Sequence, residues 1–158
     1  MGAQRRIGWC LAAAFAMATV GCSGDDGPTE DKGVMDLDEQ GPGTCLLIGD
    51  SIEVEVSSLP VIDCALEHTH EIYAVVTVTD KDYPVYPGAE KLDAVAQHEC
   101  TIEFQPYVQS GPFDSDLFFS WLLPTIGSWN EHDDRSILCV VSRLDNGKLI
   151  DSVYHSGM

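Results

Sequence analysis

The sequence predicts an α+β domain: an antiparallel β-sheet with one or two helices packed on one face, braced by two disulfides. Three observations carry this. Strand-like runs surround Ile52 and Ile72, a single stretch after Gly88 switches to helical spacing, and an Asp145-Asn146-Gly147 turn separates two late runs. Four cysteines, Cys45, Cys64, Cys100 and Cys139, fall among these elements.

Cys45-Leu46-Leu47-Ile48 is a short apolar run closed by Gly49-Asp50. Ile52, Val54 and Val56 then alternate with Ser51, Glu53 and Glu55, the period of a half-buried strand. After a turn at Ser57–Pro60, Val61–Cys64 is extended again, and the polar cluster Glu67–Glu71 interrupts it. Ile72–Thr79 is rich in β-branched and aromatic residues and is the main strand. Beyond the Tyr86-Pro87-Gly88 loop, Leu92, Val95, Ala96, Cys100 and Phe104 recur every three to four residues, which predicts an amphipathic helix over Ala89–Gln105, closed by Pro106. Phe113–Leu123 reads as a short second helix capped by Asp114 or Ser115, in preference to a strand, with Phe113, Phe118, Phe119 and Trp121 taken as core in preference to an exposed partner patch. Pro124–Asp134 reads as loop, and Ser136–Val141 as a buried strand. Asp145-Asn146-Gly147 turns the chain into a return strand over Lys148–Tyr154, since Asn-Gly tolerates positive φ.

The amino terminus stands apart. Arg5 and Arg6 precede an apolar run from Ile7 to Ala18, followed by Thr19-Val20-Gly21-Cys22. A positive flank, a short apolar segment and small residues make a secretory signal; a membrane span needs about 20 apolar residues. Val-Gly-Cys resembles a bacterial lipobox, with Thr19 where Leu is usual, so residues 1–21 are expected to be a lipoprotein signal peptide and Cys22 the lipid attachment site. Residues 22–43 are acidic with few large apolar groups and read as a disordered tether. The domain proper is 44–154.

The formal charge is −18. Without Arg5 and Arg6 it is −20, six bases against 26 acids. A polyanion argues against nucleic acid as a partner. Cys10 lies in the signal. The other four cysteines of an exported domain imply disulfides, and no Cys-x-x-Cys spacing suggests a zinc ribbon or thiol-redox motif. Of three possible connectivities, the element positions favour Cys100–Cys139, helix to strand, which leaves Cys45–Cys64.

Thr44-Cys45-Leu46, Val61-x-x-Cys64 with His68 and Glu71, Tyr86-Pro87-Gly88, Cys100, Ser128-Trp129, Asp134-Arg135 and Cys139, taken in that order, resemble the septum formation-related domain of exported actinobacterial proteins. Thr44-Cys45-Leu46 resembles that family's Gly-Asp-Cys. Val61-x-x-Cys64, with His68 and Glu71 ahead of an apolar strand, is similar to its Cys-Ser-x-Pro-His-x-x-Glu-Val segment, Glu67 replacing the proline and Ile72 the valine. Tyr86-Pro87-Gly88, Cys100, Pro124, Ser128-Trp129, Asp134-Arg135 and Cys139 follow in order, with Asp133 where the family has Gly. The resemblance implies an envelope or division context and no particular reaction.

Glu67, His68, His70 and Glu71 are the residues with chemistry to offer. In an extended chain His68 and His70 share a side, and two imidazoles with a carboxylate form a zinc-type donor set. A His–Glu pair also suits general-base work, but no serine lies in a Gly-x-Ser-x-Gly elbow and the cysteines are assigned to disulfides. His68 and Glu71 are therefore expected to be structural, hydrogen-bonded to neighbouring backbone at the strand entry, with no cofactor and His70 outside the pattern. Trp129, Asp134 and Arg135 form either a recognition surface or a structural ion pair. The expected function is a lipid-anchored, extracytoplasmic, non-enzymatic binding or structural module, partnered by the membrane and by an envelope protein or cell-wall component. The alternative is a metal-binding or hydrolytic envelope domain using His68, His70 and Glu71.

Overall fold

The computed structural model of the chain describes residues 31–36, 40–49 and 58–158. The signal segment, Cys22 and the alternating run Ser51–Val56 lie outside these residues.

Six strands form one sheet: β1 (Asp31–Asp36), β2 (Thr44–Leu46), β3 (Ser58–Ile62), β4 (His70–Thr77), β5 (Leu117–Leu122) and β6 (Ser136–Arg143), in the order β1-β3-β2-β4-β6-β5. Every neighbouring pair is antiparallel. Two helices, α1 (Ala89–Val108) and α2 (Ile126–Glu131), fall between β4 and β6. The predicted α+β class and both predicted disulfides, Cys45–Cys64 and Cys100–Cys139, are present.

Alternation divides the sheet into two apolar faces. Along β6, Ile137, Cys139 and Val141 join the core under α1, while Leu138 and Val140 face the other way with Leu46, Val61 and Ile72. In β4 the alternation breaks. The register shifts between Ile72 and Ala74, and Tyr73 and Ala74 both join the α1 side. This is a β-bulge, one extra residue in one strand. It aims the Tyr73 hydroxyl at α1, where it donates to the Cys100 carbonyl at 2.8 Å. Leu92, Ala96, Cys100 and Phe104 give α1 its buried face, and Cys100–Cys139 fixes that face to β6.

Six local expectations are corrected. Ser58–Pro60, read as part of a turn, belongs to β3 and pairs with β1. Pro106 does not close α1; the helix continues to Val108 and ends at Gln109, whose φ of 66° is left-handed and whose N–H donates to Gln105 O. Proline costs the helix one backbone bond, but Tyr107 and Val108 are buried and hold the last turn in place. Phe113–Leu123 is not a helix: Leu117–Leu122 pairs with β6 as the edge strand β5. Phe113 is 89% and Phe118 53% exposed, while Phe119 and Trp121 pack against the core. Within the predicted loop Pro124–Asp134, α2 forms on a capping box, Thr125 Oγ1 accepting from Ser128 N and Ser128 Oγ from Thr125 N, each at 3.0 Å. The turn at Asn146 exists, with φ of 58°, but Lys148–Tyr154 is not a return strand. Both edges of β6 are already taken by β4 and β5, so the chain crosses instead to His68, where Leu149 makes a single antiparallel bridge. Finally, Asp31–Asp36, inside the stretch read as tether, pairs with β3 as β1. Edge pairing uses backbone groups and does not require the apolar surface whose scarcity suggested disorder.

Candidate functional site

The polar stretch before β4 lies at the centre of the sheet. Cys45 of β2 stands opposite Glu71, and Val141 of β6 stands opposite it on the other side. The chain after Leu149 closes over the same point, and Asp151 N donates to Cys64 O at 2.8 Å. Strand pairing, one disulfide and the carboxyl-terminal segment thus bring together residues distant in sequence.

Glu71 has no solvent exposure. Its Oε1 accepts from the Tyr107 hydroxyl at 2.5 Å and the Ser152 hydroxyl at 2.6 Å, and its Oε2 from the Val153 N–H at 2.8 Å. Among the described residues no lysine or arginine forms an ion pair with it. Three donors therefore take the place of water around this carboxylate. Burial, followed by the hydrogen bond and charge of Glu71, raises the Tyr107 phenol well above its ordinary range, so the O–H stays a donor. Tyr107 belongs to the last turn of α1 and Ser152 and Val153 to the carboxyl-terminal segment, so one side chain of β4 joins sheet, helix and tail. The tail also satisfies the end of α1, with His155 N donating to Tyr107 O and Gly157 N to Val108 O, both at 2.8 Å.

His68 is equally sealed. Its Nδ1 lies 2.8 Å from the Leu66 carbonyl, which can only accept, so Nδ1 carries the proton. Nε2 then presents a lone pair, and it has no hydrogen-bond partner. Its backbone exchanges two bonds with Leu149, at 3.1 and 2.9 Å. Between the two, Thr69 Oγ1 donates to Leu46 O at 2.9 Å and accepts from Ile48 N at 2.6 Å, extending the link to β2 beyond its last ladder pair. His70 is only half-buried. Desolvation, then Lys148 and His68, lowers its pKa from the ordinary 6.5, which favours the neutral ring.

Metal-capable atoms converge here, but not as the sequence pairs them. Among the described residues, Cys45, His68 and Glu71 each offer a ligand atom within 4.8 Å of the others; His70 is not in this group. Cys45 is oxidised, so the group presents no thiolate. Ser152 Oγ bonds the carboxylate directly, not an imidazole, and His68 Nε2 meets no hydroxyl. No nucleophile–base–orienter arrangement is built from these atoms.

Trp129, Asp134 and Arg135 form a second cluster around α2. Trp129 is 2% exposed, with Tyr86 edge-on at 5.7 Å. The Arg135 guanidinium lies 3.9 Å from the Trp129 ring centroid, donates from Nη1 to Trp129 O and Asp134 O, and from Nε to Asp80 at 2.9 Å. Asp134 accepts from Ser128 Oγ at 2.9 Å and from Ser136 N at 2.9 Å. These contacts fasten α2 and the loop after β4 to the start of β6. Tyr107, Thr69 and Ser152 were not singled out by the sequence; Ser128 enters it beside Trp129, and its Thr-x-x-Ser pattern is the local signal for its capping role.

No helix of the described residues is long and apolar enough to cross a membrane. The family whose sequence pattern matches the chain, over residues 42–155, is described as septum formation. No curated protein and no solved structure matches.

Proposed function

We propose, from the premise that this chain belongs to the septum formation family, that it is a lipid-anchored, extracytoplasmic module that acts in the cell envelope during septum formation by binding or bracing and not by catalysis. The observation that carries this reading is the state of Glu71. A general base must reach a substrate proton directly or through one water, and this carboxylate has three internal donors and no exposure. Two disulfides support an oxidising compartment. The leader and Val20-Gly21-Cys22 support a lipid anchor, and the acidic residues between Cys22 and β1 suit a spacer between bilayer and domain.

Anchoring is tested by membrane fractionation of the full chain and of Cys22→Ser. The wild type is expected with the membranes and the variant in the soluble or secreted fraction. Equal membrane retention of both would overturn the lipid-anchor reading.

A further inference from the structure

We infer that reduction of the Cys45–Cys64 disulfide converts the buried knot into a four-donor site for a borderline-soft divalent cation of the zinc class, with Cys45 Sγ, Cys64 Sγ, His68 Nε2 and Glu71 Oε2 as ligands. The first observation is the grouping of Cys45, His68 and Glu71 ligand atoms within 4.8 Å of one another, to which Cys64 Sγ is joined by its bond to Cys45. Ligands around a tetrahedral zinc stand about 2.0–2.3 Å from the metal, so the Cys45, His68 and Glu71 atoms need to close in from separations of up to 4.8 Å, while the two sulfurs, bonded to each other in the disulfide, must move apart once the bond is reduced.

The second observation is independent. His68 Nε2 is a fully buried lone pair with no partner. A polar atom in that state normally costs stability, and its presence calls for a reason. The surroundings resemble those of a metal-binding imidazole: the other ring nitrogen donates to a backbone carbonyl, that of Leu66, at 2.8 Å. Glu71 is also held from outside by Tyr107, Ser152 and Val153, and Oε2 accepts only one of these bonds, so a lone pair remains. Two sulfurs, one imidazole and one carboxylate favour zinc over calcium or magnesium.

The conversion requires a dithiol reductant. Cys64 is partly exposed and Cys45 is 1% exposed, so the incoming thiolate attacks Cys64 Sγ. The S–S bond breaks and Cys45 leaves with the electron pair as a thiolate. The second thiolate of the reductant then displaces Cys64 and closes the reductant's own disulfide. Two electrons and two protons pass to the protein, and binding of the cation returns the two thiol protons to solvent.

The test uses the wild-type chain. Protein with intact disulfides and protein reduced by a phosphine are each dialysed against zinc, and bound metal is counted. The thiols of the reduced protein are then alkylated with and without zinc, and the peptides carrying Cys45, Cys64, Cys100 and Cys139 are mapped. We expect one tightly held zinc in the reduced protein and none in the oxidised protein. Zinc should slow alkylation of Cys45 and Cys64 by about tenfold or more, because the coordinated thiolate is no longer free to react. Cys100 and Cys139 should be unprotected. His68→Gln should lose the bound zinc, and cobalt should give the wild type, but not this variant, the absorption of a tetrahedral thiolate complex. Equal zinc binding by oxidised and reduced protein, protection of Cys100 and Cys139 instead, or a reduced protein that holds no zinc would each overturn the inference.

Discussion

Glu71→Ala is expected to destabilise the oxidised domain by roughly 3–5 kcal/mol, close to the whole stability of many small domains. The substitution leaves the Tyr107 hydroxyl and the Val153 N–H inside without an acceptor, while Ser152, at the surface, recovers water. Each buried donor left unpaired costs about 1–3 kcal/mol, and the vacated volume adds to that. The damage should spread along the tail, because Val153 is buried and the same segment satisfies the end of α1. Urea unfolding checks the magnitude, and amide exchange at Val153, His155 and Gly157 checks the route. A loss below about 1 kcal/mol would mean that the carboxylate is not the joint between sheet, helix and tail.

The second large effect belongs to Cys100–Cys139. Replacing both cysteines by alanine is expected to cost about 4 kcal/mol on the chain-entropy account, against about 3 kcal/mol for the Cys45–Cys64 pair. The difference follows from the sequence separations, 39 and 19 residues. Cys100 and Cys139 are also wholly buried between α1 and β6, so their removal disturbs packing as well as entropy. Thermal unfolding of the two double variants ranks them. A larger loss from the Cys45–Cys64 pair would show that the sheet centre, and not the helix attachment, is what the disulfides chiefly hold.

Much of this was legible before any coordinates. Helical spacing places α1, and β-branched, aromatic or continuously apolar composition places β4 and β6, because each is long and largely buried. Cysteine placement gives both pairings, since Cys100 lies on the inner face of α1 and Cys139 in a strand. His68 and Glu71 are both completely buried, and Glu71 is met by the Tyr107 and Ser152 side chains and the distant Val153 N–H, not by the neighbouring backbone expected of it. The illegible parts have a common cause. Leu117–Leu122 is short, apolar and aromatic, and only its pairing with β6 decides between strand and helix. The path of Lys148–Tyr154 depends on which edges of β6 are free, which no local pattern records. The partners of Glu71 lie 36, 81 and 82 residues away in the chain. The place of Cys45 beside His68 and Glu71, in preference to His70, follows from the β2–β4 register and not from spacing.

We propose that the polar knot of the oxidised protein is structural, with no metal or reaction depending on it. Urea unfolding of the disulfide-intact wild type, His68→Ala and His70→Ala, each with and without stoichiometric zinc, tests it most directly. His68→Ala removes the fully buried ring and its bond to Leu66 and should lower stability by about 1–3 kcal/mol, His70→Ala should do much less, and zinc should move none of the three midpoints. A zinc-dependent rise in the wild-type midpoint that both histidine variants abolish would contradict the claim and place a metal centre in the oxidised domain.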